Sequence, residues 1–318
     1  MLTRRDSPPA GFGTLTVMNA LLAYVASRGH LVRTTELIAE GFANPTIRRS
    51  LRSGEFDRIC HGWVGTRDAT QLSVIAAIHH GKLTGPTALA THGVWDGLDL
   101  RIHISVAPNS RAEPLPLKVP LSNFRRTNTN LIGIKRHWRR ERSVDRYEPS
   151  WRASAIDALA VAARSLATDQ FVACAESALA TQLIPRAVLP ALRAAVPRTM
   201  SGVVDSLRMD AGSGLESLFW FRMRPRVRAL ATQVRVPGLG QFGGDGFVDF
   251  VIDGWLAIET DGDAFHDPAV DRARNAFLVR NGYRWHRFGH HQVIHEWSSV
   301  EATVMELLRF PPGGKGGY

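Results

Sequence analysis

Residues 247–262 read FVDFVIDGWLAIETDG, and this stretch decides the fold of the carboxy-terminal part of the chain. Two apolar segments flank Asp253-Gly254, a dipeptide that favours a tight turn, so the stretch predicts a β-hairpin. Asp249 lies within the first segment, and Glu259 follows the apolar run of the second. Carboxylates beside buried strands are costly unless they are paired or bind a metal. The hairpin is therefore the first candidate for a functional site.

The length of the hairpin loop decides whether the two carboxylates meet. Because side chains alternate between the faces of a strand, a two-residue Asp253-Gly254 turn would put Asp249 and Glu259 on opposite faces. A three-residue loop with Gly254 in the left-handed conformation puts both on one face, with Asp261 beside them. If these carboxylates share a metal, we predict the three-residue, bulged loop. In the alternative, the acidic residues simply stand at strand ends, and Asp261 begins a second turn.

The hairpin belongs to a longer alternation of predicted elements over residues 213–309, in the order helix, three strands, helix, strand, helix. Mg²⁺ prefers hard oxygen ligands, typically one or two carboxylates with waters and substrate phosphate. A bound ion stabilises charge on the phosphate and lowers the pKa of an attacking water. We therefore expect Mg²⁺ or Mn²⁺ as the cofactor if this region cleaves phosphodiesters.

Several separated motifs of this region resemble one family. They are LES at 215–217, Gln233, VDFVI at 248–252, IETDG at 258–262, His266, Arg272 with Asn275, and GYRWHRF at 282–288. The set resembles the endonuclease-related domain akin to very-short-patch mismatch repair nucleases, in the PD-(D/E)xK superfamily of restriction-endonuclease-like folds. The resemblance implies an α/β/α nuclease domain over residues 209–318, with Asp249 and Glu259 as metal ligands and Glu216 as a further acidic contributor.

One position departs from that superfamily. Many members have a lysine two residues after the glutamate, where this chain has Asp261, and no lysine occurs between residues 136 and 314. His266 is the best substitute, since histidine titrates near neutral pH and serves as a general acid or base. The very-short-patch relatives likewise use histidine. We expect Arg272 and Arg274 to contact phosphate; the alternative is a solvated helix face.

The first 70 residues predict a winged helix-turn-helix. Three short helices are indicated, the third with Asn44 as N-cap, Pro45 at the first helical position and Gly54 as the stop. The other face of this helix carries three arginines, Arg48, Arg49 and Arg52. Residues 56–66, FDRICHGWVGT, predict the two strands of a wing. A basic third helix followed by a wing is typical of DNA-reading modules; the alternative is a protein-docking module.

From Leu21 through GHLVRTTELIAEGFANPTIRRSLRSGEFDRICHGWVGT, the chain resembles the amino-terminal winged helix of AbiEi-type antitoxins. TGPTALATHGVWDGLDLRIHISV at 84–106 resembles the connecting domain that follows the winged helix in those proteins. The resemblance implies operator binding and transcriptional repression, and it brings no catalytic residue with it. It also implies a cognate toxin as a candidate partner.

Composition agrees with DNA as the partner. Lys and Arg total 39 against 29 Asp and Glu, a net charge of +10, which favours a polyanion. No apolar run approaches the roughly 20 residues that cross a bilayer, so we expect no membrane partner. The two cysteines, Cys60 and Cys174, are far apart, which fits a reducing compartment. We expect a cytoplasmic protein.

The sequence thus predicts an α/β multidomain protein, because 318 residues exceed the usual size of one core. Residues 1–70 are the winged helix-turn-helix, 71–208 a mixed α/β connecting domain, and 209–318 the restriction-endonuclease-like domain. We expect a metal-dependent DNA endonuclease or nickase. The alternative is a non-enzymatic regulator or antitoxin whose nuclease-like domain is inactive and serves for binding or for homodimer formation.

Overall fold

The computed structural model describes residues 10–110, 113–126, 133–139, 148–240, 244–261 and 268–311, with the backbone alone at 10–15, 261 and 268–271. The chain divides into two compact units. Unit 1 consists of Met1–Ala88 and Asp99–Val161, and unit 2 of Leu89–Leu98 and Ala162–Tyr318. The domain boundaries predicted after residues 70 and 208 fall inside unit 1 and unit 2 respectively, and the three-domain division stays a prediction.

Unit 1 opens with three helices and a small antiparallel sheet. Its first elements are α1 (Ala10–Ser27), β1 (Leu31–Arg33), α2 (Thr34–Ala39), α3 (Asn44–Ser53), β2 (Asp57–Cys60) and β3 (Trp63–Gly65). The strands follow the order β1-β3-β2. Leu21, Leu37, Ile47 and Phe56 belong to one buried apolar cluster, which joins the three helices to the sheet. Burial of such side chains stabilises the fold by about 1.5–3 kcal/mol each.

The third helix differs from its predicted bounds by one residue. The N-cap is Ala43, in an extended conformation, and α3 therefore includes Asn44. Pro45 is tolerated in either register, because the first N–H groups of a helix have no partner within it. The helix ends at Gly54 as predicted, with φ of 79° in the left-handed region that glycine adopts without steric cost.

Unit 1 also contains a second small sheet, and its two segments end within α5 and within α6. The elements that follow are α4 (Gln71–Ile78), β4 (Gly81–Leu83), α5 (Gly85–Thr91), β5 (Ile102–Val106), β6 (Ile134–Trp138) and α6 (Ala155–Ser165). β5 lies in the centre, antiparallel to β4 and parallel to β6. All five residues of β5 are buried, as expected of a strand that has neighbours on both edges.

Unit 2 contains a four-stranded sheet and most of the remaining helices. Its elements are α7 (Thr168–Ala180), α8 (Leu189–Ala195), α9 (Ser201–Asp205), α10 (Gly214–Met223), β7 (Leu230–Val236), β8 (Gly246–Ile252), β9 (Leu256–Asp261), α11 (Pro268–Arg280), β10 (Arg284–Gly289), α12 (His290–His295) and α13 (Trp297–Leu308). The sheet order is β10-β9-β8-β7, with only the β9–β10 pair parallel. The order of elements predicted for residues 213–309 is confirmed, except that two helices, α12 and α13, follow β10 where one was predicted.

Helices cover both faces of this sheet. Phe250 and Ile252 of β8 share an apolar cluster with Phe219 of α10 and Val300 of α13. Val251, which lies between them in the strand, shares a separate cluster with helix α11. Since consecutive strand residues point to opposite faces, the sheet is the middle of three layers. The mixed α/β class predicted from the sequence is confirmed.

One short segment of unit 2 comes from an early part of the chain. Within Leu89–Leu98, Trp95 packs against the cluster around Phe219. Its backbone N–H donates to the hydroxyl of Ser177 on α7 at 3.1 Å. Among the helices of the described ranges, none is both long and apolar enough to cross a membrane.

Candidate functional site

The β8–β9 hairpin has a three-residue loop, which is the alternative that we predicted for carboxylates that share a metal. Ile252 pairs with Leu256, which leaves Asp253, Gly254 and Trp255 in the loop. Asp253 and Gly254 have φ of 50° and 82°, a left-handed pair that Asp and Gly tolerate better than other residues. The N–H of Trp255 donates to the carbonyl of Ile252 at 3.2 Å. The odd loop length and the left-handed Gly254 are both confirmed.

The hairpin register brings Asp249 beside Glu259. Phe250 pairs with Ile258, the last pair of the ladder, and Asp249 and Glu259 are the next residues of the two strands. The backbone N–H of Thr260 donates to Oδ2 of Asp249 at 2.8 Å, and its hydroxyl donates to the same oxygen at 3.3 Å. The carboxylate of Asp249 is thus held in place by β9.

A third carboxylate enters from helix α10. The helix is capped by Ser213, whose hydroxyl accepts from the N–H of Glu216 at 3.1 Å. Glu216 is only 8% exposed, and its Oε2 accepts from the N–H of Gly212 at 3.0 Å and from Nε2 of Gln233 at 2.7 Å. Gln233 has φ of 47°, an unfavourable backbone conformation for a side chain of this type. Strain of this kind concentrates at functional sites.

Burial lowers the acidity of Asp249. Its pKa is raised to about 6. Burial is the main cause, and the negative charges of Glu216 and Glu259 add to it, while the hydrogen bonds from Thr260 oppose it. Asp249 therefore titrates within the range in which enzymatic acids and bases operate.

Glu259 is held between two arginines. It is 5% exposed. Its Oε1 accepts from Nε of Arg274 on α11 at 2.8 Å, and its Oε2 accepts from Nη2 of Arg287 on β10 at 2.8 Å. Arg287 is the register partner of Glu259 in the parallel β9–β10 pair. We call Glu259, Arg274 and Arg287 the arginine clamp.

Sequence reasoning missed part of this clamp. Arg274 was expected to contact phosphate, and in the structure it binds Glu259 and the carbonyl of Phe247. Arg287 was not singled out, although it lies within the GYRWHRF motif; its role depends on the pairing of β10 with β9, which no local pattern specifies. Next to the clamp, the side-chain oxygen of Asn275 and Nε1 of Trp285 are buried without a hydrogen-bond partner.

For three other predicted site residues, the structure describes no contact within the site. Arg272 is exposed on α11. Asp261 ends β9 opposite Gly289, but its side chain lies outside the described residues, and so does all of His266. Among the side chains that the structure does describe, no three His, Cys, Asp or Glu residues lie close enough together to hold a metal ion.

The predicted DNA-reading helix exposes its arginines. Arg48, Arg49 and Arg52 of α3 all lie in solvent, whereas Ile47 and Ser50 face the core. The exposed side of this helix therefore carries three arginines.

Comparison with known proteins adds no relative. Neither a scan of the chain against protein-family models nor a search of curated proteins found a match.

Proposed function

We propose that this protein is a metal-dependent DNA endonuclease or nickase, and that the three-layered part of unit 2 is a restriction-endonuclease-like domain. The observation that carries the proposal is the placement of Asp249 and Glu259 at adjoining positions of β8 and β9, where Thr260 holds Asp249 and burial raises its pKa to about 6. Like charges crowded in a partly buried site are unfavourable by themselves. A divalent cation relieves that repulsion, and phosphodiester hydrolysis uses such a cation.

The donor set fits Mg²⁺ or Mn²⁺. Asp249 and Glu259 offer hard carboxylate oxygens from adjacent strands. Thr260 occupies only Oδ2 of Asp249. Arg274 donates a hydrogen bond to one oxygen of Glu259 and Arg287 donates one to the other. A carboxylate oxygen accepts more than one partner, so both oxygens can still bind a metal ion. When bound, the ion would supply charge neutralisation at the phosphate and a water of lowered pKa.

The remaining side chains have roles of their own in this proposal. Arg274 and Arg287 orient a substrate phosphate. Each guanidinium redirects a hydrogen bond from Glu259 to a phosphate oxygen. Glu216, held by Gln233, maintains the negative potential behind Asp249. His266 remains our expected proton donor or acceptor, in place of the lysine that Asp261 replaces.

We further propose that α1–α3 with the β1-β3-β2 sheet form a winged helix-turn-helix, in which α3 enters the major groove. The support is the exposed basic face formed by Arg48, Arg49 and Arg52. DNA is therefore the proposed partner of both units. Both cysteines are free and buried, which fits the reducing cytoplasm in which we expect the protein to act.

A second candidate function is favoured by the arginine clamp. Two guanidinium groups neutralise Glu259, and a carboxylate so paired is a weaker metal ligand. The protein would then be a DNA-binding regulator that resembles AbiEi-type antitoxins, with an inactive nuclease-like domain used for dimerisation. A toxin-like nucleotidyltransferase gene beside its own gene would favour this candidate.

A plasmid assay tests the proposed nuclease. Purified protein is incubated with supercoiled plasmid in Mg²⁺ or Mn²⁺, and we expect nicked or linear product that disappears with EDTA. Asp249→Ala and Glu259→Ala are each expected to reduce the rate on the order of 100-fold or more, since they remove the metal-holding charge. Asp253→Asn, in the loop of the same hairpin, is the matched control and should retain activity. DNA binding without cleavage in either ion contradicts the proposal and leaves the regulator.

DNA binding by α3 is tested through its salt dependence. Each phosphate contact contributes about 0.9 to the slope of log K against log salt concentration. Replacing Arg48, Arg49 and Arg52 together by Gln is expected to reduce that slope by about 2 to 3, and to weaken duplex binding at least about tenfold. Fluorescence anisotropy at several salt concentrations measures both. A triple replacement of the exposed Arg186, Arg193 and Arg198 removes the same charge elsewhere; equal losses in the two triple variants would count against α3.

A further inference from the structure

Unit 1 contains a cavity of about 400 Å³ that the proposed function does not use. Its polar lining consists of Arg33, His80, Lys82, Ser105, Asn109 and Arg139. The described residues that line it include no Asp or Glu. Cavities of this volume fall in the range that holds small-molecule ligands, roughly 300–1,000 Å³. The cavity is therefore of ligand size and carries a positive potential.

Regular secondary structure holds the cationic side chains in position. Lys82 is the central residue of β4 and pairs with Ser105 of β5. Arg139 follows β6 directly, and its backbone N–H donates to the carbonyl of Val106 at 3.1 Å. Binding groups mounted on strands are held more exactly than groups on loops. The backbones of Lys82 and Arg139 are thus fixed at the cavity.

Arg33 comes from the other sheet of the same unit. It ends β1, and its guanidinium lies over the ring of Trp63 at 4.5 Å from the ring centre. Trp63 is 2% exposed, so this ring is a fixed support. Contact of an arginine with an aromatic face restrains the planar group while leaving its N–H donors available.

One atom in the cavity lacks the partner that it needs. Nη1 of Arg139 is buried without a hydrogen-bond acceptor. Leaving a buried donor unsatisfied costs about 1–3 kcal/mol, and more for a charged group. Neither Arg33 nor Lys82 has a side-chain acceptor to offer. The nitrogen is out of reach of solvent, so an anionic ligand oxygen would satisfy it once the guanidinium turns toward the cavity.

We infer that this cavity binds a phosphorylated small molecule of nucleotide size, with its phosphate on Arg139. A guanidinium matches phosphate geometry by donating two parallel hydrogen bonds. Val106, Ala107 and Pro108 supply an apolar wall for the organic part of the ligand. The absence of acidic lining residues, within the described part of the chain, disfavours a cationic ligand.

Titration calorimetry tests the inference, with adenosine 5′-monophosphate, inorganic phosphate and adenosine as separate probes on the full chain. We expect the nucleotide and phosphate to bind and adenosine not to bind. Arg139→Gln is expected to weaken nucleotide binding at least tenfold. Arg193→Gln, which removes an exposed arginine of unit 2, should leave it unchanged.

A second variant separates a loss of binding from a loss of folding in Arg139→Gln. Asn109 is exposed, so Asn109→Asp places a carboxylate at the cavity without disturbing a core, and it should also weaken nucleotide binding at least tenfold. The inference is overturned if neither nucleotide nor phosphate binds the wild-type protein, or if both variants bind as wild type does. It is also overturned if Arg139→Gln weakens binding only to a 20-base-pair duplex, because the cavity would then serve the backbone of DNA.

Discussion

Asp249→Asn is expected to stabilise the protein at pH 8, by about 2 to 3 kcal/mol, because it removes a charge that the folded state accommodates poorly. The pKa of this carboxyl is about 6 in the folded protein against 3.8 as the ordinary value. The folded state therefore binds the proton more tightly than the unfolded state does. The contribution of this carboxyl to wild-type stability is greatest below pH 3.8, falls as the pH rises to about 6, and is level above it.

Asparagine resembles the protonated carboxyl and keeps an oxygen for the N–H of Thr260. The difference between variant and wild type should be small at pH 4 and complete at pH 8. Urea unfolding in EDTA at both pH values measures it. Asp253→Asn, exposed in the hairpin loop, is the control and should change stability by less than about 0.5 kcal/mol at either pH. A less stable Asp249→Asn protein at pH 8 would mean that the carboxylate serves as a structural ion, not as a strained functional group.

Phe219→Ala is expected to destabilise unit 2 by about 3–5 kcal/mol, the usual result of removing a large ring from a packed core. The ring is fully buried. Its centre lies 4.7 Å from that of Phe250, 6.2 Å from that of Phe288 and 5.8 Å from that of Trp297. It therefore joins α10, β8, β10 and α13, and its loss leaves a cavity that none of these elements can fill alone.

Chemical denaturation followed by tryptophan fluorescence measures this loss. Phe310→Ala removes the same ring from a position that is 61% exposed, and it should cost less than about 0.5 kcal/mol. Similar losses in the two variants would contradict the packing described for Phe219. Because Glu216 lies on the same helix as Phe219, the core variant should also lower any nicking activity through the position of α10.

The hairpin could be predicted because its determinants are local. Asp253 and Gly254 specify a left-handed turn, and alternation of side chains then fixes which loop length brings Asp249 and Glu259 together. The order of helices and strands in unit 2 followed from hydrophobic periodicity for the same reason. The start of α3 was wrong by one residue, since proline is accepted at more than one position of a first turn.

The arginine clamp could not be predicted, because it depends on pairing between distant segments. Arg287 meets Glu259 only through the parallel register of β9 and β10, and Arg274 only through the packing of α11. Nothing in the residues around Glu259 indicates that both of its oxygens are occupied. The cavity in unit 1 was missed for a similar reason: Arg33, Lys82 and Arg139 are far apart in sequence and share no motif.

The origin of Trp95 has a consequence for how this protein is made. Its segment, Leu89–Leu98, leaves the ribosome well before α10, yet it belongs to the same compact unit. At the usual synthesis rate of about 5–20 residues per second, this indole remains exposed for several seconds before its core can form. A gene fragment that starts at residue 162 would encode the sheet without this early segment. Such a fragment would therefore lack the contacts of Trp95 with Ser177 and with the Phe219 cluster.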